Sequence, residues 1–149
     1  MAGGWRLAGI VRAQSGIPVP ATQQPNLNSF AGFGTQRPNR VADPALSTDE
    51  QTTARFFRTD AFATAPQFTL GTSSRHPVRG PGYSTIDLMV GKTFLLSEKL
   101  AAEFRAEAFN LTNTPPWSEP NGDFGTPAFG SITSAGDPRV FELVLKLRF

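Results

Sequence analysis

Toward its C-terminal end the chain alternates in the plainest way. Phe141, Leu143, Leu145, Leu147 and Phe149 are apolar, and Glu142, Val144, Lys146 and Arg148 stand between them. Successive side chains of an extended backbone point to opposite faces, so a period of two predicts a strand with one apolar face and one charged face. The stretch from Leu100 to Leu111 repeats the pattern, with Leu100, Ala102, Phe104, Ala106 and Ala108 opposed to Ala101, Glu103, Arg105, Glu107 and Phe109. From Tyr83 to Phe94, the residues Ile86, Leu88, Val90 and Phe94 oppose Thr85, Asp87, Met89, Gly91 and Thr93. Lys92 interrupts that apolar face. A lysine snorkelling at a membrane edge and a bulge that shifts the register are the two ways to accommodate it. A weaker match runs from Trp5 to Gln14, where Trp5, Leu7, Gly9 and Val11 oppose Arg6, Ala8, Ile10 and Arg12.

All thirteen prolines lie outside these four segments, as expected where a sheet ladder needs every backbone N–H. The connections between the segments are very unequal. Ser15–Gly82 spans 68 residues with eight prolines and no sustained periodicity, and Thr112–Asp137 carries Pro115, Pro116, Pro120 and Pro127 among glycines. Between Phe94 and Leu100, by contrast, only five residues intervene, enough for a hairpin turn. Antiparallel strands reverse direction at each connection, so both long loops fall at one end of the sheet and the short turn at the other. That is the arrangement of bacterial outer-membrane barrels. A soluble sheet with one wet face is the alternative. It would need a helix or a second set of strands over the apolar face, and neither is visible; four strands are also too few to bury the loop residues. The expectation is an all-β fold whose antiparallel strands belong to a transmembrane β-barrel with two long surface loops.

Composition narrows this picture. The 149 residues allow one ordinary domain. The longest apolar run is three residues, as at Leu88-Met89-Val90, against about 20 for a transmembrane helix. Met1-Ala2-Gly3-Gly4-Trp5-Arg6 lacks the basic start and apolar core of a signal peptide. With no cysteine, disulfide scaffolds, thiol catalysis and Cys-based zinc sites are excluded. A net charge of +2 is too small to argue for nucleic acid, even at a pI near 9.5.

Several short stretches carry a family resemblance. Arg55-Phe56-Phe57-Arg58-Thr59-Asp60-Ala61-Phe62, then Arg75-His76-Pro77-Val78-Arg79-Gly80-Pro81-Gly82-Tyr83, then Asp87-Leu88 resemble the C-terminal part of TonB-dependent outer-membrane receptors. The similarity is greatest to the large type with an N-terminal carboxypeptidase-regulatory-like domain. Phe109-Asn110-Leu111-Thr112-Asn113, Phe124-Gly125 and Gly136-Asp137-Pro138-Arg139 follow in the same order, and Gly4-Trp5-Arg6-Leu7-Ala8-Gly9-Ile10 with Gln14-Ser15-Gly16-Ile17-Pro18 resembles an earlier strand and its loop entry. The resemblance covers essentially the whole chain. It implies a C-terminal segment of about four strands from a barrel of about 22, a fragment with no plug and no signal peptide.

The resemblance also implies roles for residues and partners. Phe141, Leu143, Leu145, Leu147 and Phe149 resemble the outer-membrane insertion signal, a terminal aromatic preceded by apolar residues at every second position, read by the barrel assembly machinery. Asp87, Glu103, Arg105, Glu107, Glu142, Lys146 and Arg148 are expected to face the lumen. Arg55, Phe56, Phe57, Arg58, Arg75 and Arg79 are candidates for a ligand-facing loop, where arginine and aromatic groups suit capture; pinning the loop at the barrel mouth is the plainer role. Other expected partners are outer-membrane lipid, the remainder of the receptor (plug and other strands), and the TonB complex only through an N-terminal part. The expected location is the outer membrane of a Gram-negative type bacterium, and the expected function is barrel wall and surface loop for energised uptake of a scarce solute. The rival is a soluble or surface-exposed β-sandwich binding module of lectin or adhesin type.

Enzyme chemistry is not expected. His76, the only histidine, sits in a Pro/Gly-rich loop with no nucleophile or orienting acid indicated nearby. Glu103 and Glu107 with Arg105 between them read as a salt-bridged ladder rather than an acid–base pair. Gly32-Phe33-Gly34 and Gly80-Pro81-Gly82 do not open a helix after a strand, so they are not phosphate loops. No cofactor and no metal is expected.

Overall fold

The computed structural model describes residues 3–149, and ten strands form among these residues. Four are long: β1 (Trp5–Gln14), β7 (Tyr83–Leu95), β8 (Ala101–Phe109) and β10 (Val140–Arg148). Six have two residues each: β2 (Pro18–Val19), β3 (Thr22–Gln23), β4 (Asn39–Arg40), β5 (Phe62–Ala63), β6 (Val78–Arg79) and β9 (Asp123–Phe124). Two single 3-10 turns, Ser29–Ala31 and Thr59–Ala61, complete the regular structure, and there is no α-helix among the described residues.

The long strands make one sheet in the order β1-β7-β8-β10, antiparallel throughout. They coincide with the four periodic segments to within two residues; Phe149 falls just beyond the last. The ladders are unbroken, from Trp5↔Lys92 to Gln14↔Tyr83, from Leu88↔Ala108 to Leu95↔Ala101, and from Val140↔Phe109 to Arg148↔Ala101. Directly paired residues share a face, so the alternations of the four strands add up rather than cancel. The continuous register also decides the case of Lys92: no bulge shifts it, and it stays on the apolar face. Its ammonium lies 4.3 Å from the Trp5 ring centroid and 5.5 Å from that of Phe94.

The remaining residues, 15–82 and 117–134, form a second compact unit distinct from the sheet. Both long connections were expected to be irregular and too large for the strands to bury. They instead bring a core of their own: Ala21, Phe56, Phe57, Ala61, Phe62 and Ile132 are buried together, with Phe124 and Phe129 packed against them. Phe129 is the hub, meeting Phe57, Phe62 and Phe124 edge-to-face at 5.1, 5.4 and 5.4 Å between centroids. Such pairs add about 0.5–1.5 kcal/mol each beyond burial. Irregular backbone must still satisfy its polar groups. The buried Gln23 does so for Ala65, accepting from its N–H at 2.7 Å and donating Nε2 to its carbonyl at 3.1 Å.

One pairing in this unit departs from the antiparallel expectation. β3 and β9 run parallel and tie the two long connections to each other. Gly122 and Gly125 permit the approach, since a Cβ at either would overlap a carbonyl oxygen, that of Pro20 or of Gln24; Gly125 also has φ +96°, which favours glycine.

Candidate functional site

The sheet presents two faces of opposite chemistry. By register, Asp87, Glu103, Arg105, Glu107, Glu142, Lys146 and Arg148 all share one face, together with Arg6 and Arg12 of β1. Glu103 is the centre of its ion pairs. Arg148 of β10 donates to Glu103 Oε2 at 2.7 Å, and Arg6 of β1 approaches Oε1 at 3.6 Å. Arg6 must cross β7 to get there. The β7 residue opposite it is Gly91, which puts no side chain in the way. Arg105 Nε lies 2.8 Å from Glu107 Oε1 without hydrogen-bond alignment, so that contact is Coulombic. Arg12 donates to Asp87 Oδ2 at 2.9 Å while the other carboxylate oxygen accepts from the Asn110 N–H at 2.9 Å. Exposed pairs of this kind contribute about 0–1 kcal/mol each. Their effect is to give a polar face on which charges of both signs alternate.

The other face is apolar and bare. Leu7, Val11, Leu143 and Leu145 are between 69% and 75% exposed, and no layer of the sheet's own unit covers them. In water each such side chain forgoes about 1.5–3 kcal/mol of burial free energy. The face also ends in aromatics. Trp5, Phe94 and Phe149 lie toward the short-turn end, and Phe141 lies toward the loop end with the Arg139 guanidinium 5.2 Å over its ring. Phe141 and Phe149, the latter just past the end of β10, are eight residues apart, roughly 26 Å of extended chain before any tilt. Transmembrane barrels carry an apolar band of about 25 Å between aromatic girdles.

Where β8 ends, a clasp of side-chain hydrogen bonds turns the chain. Asn110 has φ +50°; its Oδ1 accepts from the Thr114 N–H at 3.0 Å and its Nδ2 donates to Asp137 O at 3.2 Å. Arg139 donates through its N–H to Asn113 Oδ1 and through Nη1 to Leu111 O. Phe109-Asn110-Leu111-Thr112-Asn113 and Gly136-Asp137-Pro138-Arg139 therefore act together, as the two stems of one connection.

The loop residues expected to face a ligand are dispersed by the structure. Phe56 and Phe57 are 4% and 2% exposed, which corrects the expectation that they face outward: their area is more valuable in the core than at the surface. Arg55 and Arg58 both reach Asp60, at 3.5 and 3.0 Å. The Arg58 hydrogen bond, with the Arg55 charge beside it, holds the Asp60 carboxyl below the usual carboxylate range, and Arg58 is pushed up in turn. Hydrogen bonds from the Ser47 hydroxyl and N–H lower Glu50 likewise. Arg79 donates to Gly16 O at 2.9 Å. Arg75 lines a cavity of about 330 Å³, with Arg37 also on its wall, and Phe56, Phe57 and Arg79 line another of about 320 Å³. Sequence reasoning left Arg37 out of the candidates, because nothing in periodicity marks which of the loop arginines lack a carboxylate.

A family model described as an outer membrane beta barrel domain matches residues 1–142. Neither a curated protein nor a solved structure matches the chain.

Proposed function

The chain belongs to the family of outer membrane beta barrel domains, and on that footing we propose that it is barrel wall and surface loop of a TonB-dependent receptor that takes up a scarce solute. The observation that supports this most is the four-strand sheet with a bare apolar face, a charge-laddered opposite face and unpaired outer edges on β1 and β10. In hydrocarbon each unpaired backbone group costs several kcal/mol, so the working barrel needs further strands against both edges. The apolar face meets lipid, the charged face lines the lumen, and the alternating terminal strand through Phe149 is the signal read by the barrel assembly machinery. The order of the loop and rim sequences supports the receptor type. Its part in transport is structural.

The reading is tested in cells of the source organism. An antibody to residues 45–60 should label an outer-membrane polypeptide large enough for a plug and about 22 strands, and deleting its gene should abolish an energy-dependent uptake. Label confined to a detergent-free soluble fraction would overturn the barrel placement and favour the β-sandwich module. An outer-membrane polypeptide whose loss leaves every energised uptake intact would overturn only the receptor type.

A further inference from the structure

Of the six arginines in the loop unit, four have partners: Arg40 pairs with Asp43, Arg55 and Arg58 with Asp60, and Arg79 with a backbone carbonyl. Arg37 and Arg75 have no ion pair and no side-chain hydrogen bond among the described residues, and both line the same cavity. Both side chains are solvent-exposed, and no carboxylate stands among the residues lining the cavity, so its wall carries net positive charge.

The rest of the cavity is built to be stiff. Asn28 and Gln36, both buried, form the floor. Gln36 donates to Ala65 O at 3.2 Å and accepts from the Leu27 N–H at 2.8 Å; Asn28 donates to Thr69 O and accepts from the Phe68 N–H, each at 2.8 Å. These amides are committed to the backbone, so polar recognition falls to the arginines and the Thr35 hydroxyl. Phe33 and Leu70 supply exposed apolar wall. Gly71 closes the far side against the Arg37 backbone, where a Cβ would overlap the Arg37 carbonyl. At about 330 Å³ the cavity lies at the small end of the usual range for ligand pockets.

We propose that this cavity is a binding subsite for a small organic anion, a carboxylate held by Arg37 and Arg75 and joined to an apolar body that rests on Phe33 and Leu70. The assignment stands on the loop unit alone and does not depend on the transport reading. Calorimetric titration of the full chain in detergent micelles tests it, with N-acetylphenylalanine and its uncharged amide as probes. The acid should bind saturably and the amide about tenfold or more weaker, the size expected for losing one charge-assisted hydrogen bond. The R37Q/R75Q double variant should lose binding of the acid, and R40Q, whose arginine is already paired, should keep it. Absence of saturable binding, equal affinity for acid and amide, or retention in the double variant would overturn the proposal. So would inorganic phosphate binding as tightly as the acid, because the apolar wall would then have no part. The comparison of acid with amide needs no variant and decides the matter even if the double variant does not fold.

Discussion

Phe57 shows why this chain resists residue-by-residue reading. In sequence it is one of a run of aromatic and arginine residues with no period; in the structure it is 2% exposed and wedged against Phe129 and Phe62. Phe57→Ala should cost the loop unit about 3–5 kcal/mol, seen as early amide exchange across residues 15–82 while β7 and β8 keep their protection. A uniform loss across both units would show instead that the units do not unfold separately. Asp60 and Glu50 share the pH dependence of this segment. The folded carboxyl of Asp60 is depressed, chiefly by the Arg58 hydrogen bond. Stabilisation from a depressed carboxyl is complete above the unfolded value of about 4 and fades as pH falls through the folded one. Limited proteolysis within residues 47–60 should therefore accelerate as pH falls below about 4, and Asp60→Asn should weaken that dependence, leaving the share that Glu50 carries. A wild-type rate indifferent to acid would refute this.

At the scale of the strand, parity decides everything. Leu145 and Val144 are neighbours of similar character, yet they lie on opposite faces of β10. Leu145→Lys places a charge on the apolar face and should cost about 2–4 kcal/mol near the bilayer midplane. Val144→Lys joins Arg105 and Lys146 on the wet face and should cost far less. Heat-modifiable gel migration after assembly in membranes measures both, and equal defects would deny that the two faces meet different solvents. This level was open to the sequence because period two leaves an imprint on every residue, so the four long strands and their faces were legible from Trp5, Leu88, Ala106 and Leu143 onward. The six two-residue strands were not. A pair such as Asn39-Arg40 with Phe62-Ala63 is too short to hold a period and depends on contacts distant in sequence. The wet-face partners were half legible: the alternation set Glu103 and Arg148 on one face, but nothing in it pointed to Arg6, two strands away.

For the whole molecule, the division of labour follows from where proline can go. The four long ladders exclude it, so the thirteen prolines collect in the connections, and there the chain makes a fold from aromatic packing and side-chain-to-backbone hydrogen bonds. The sequence showed the unequal connections; that both contribute to one core could not be read from either alone. The parallel contact of β3 with β9 therefore has an evolutionary consequence. A loop that packs only on itself can be replaced singly. Here residues 15–82 and 117–134 carry complementary halves of one core, with Phe56 and Phe57 on one segment and Phe129 and Ile132 on the other. A recombination event that imports only one of them inherits an unmatched half. Viable chimaeras should carry both segments from the same parent, with breakpoints in the strands on either side rather than between them.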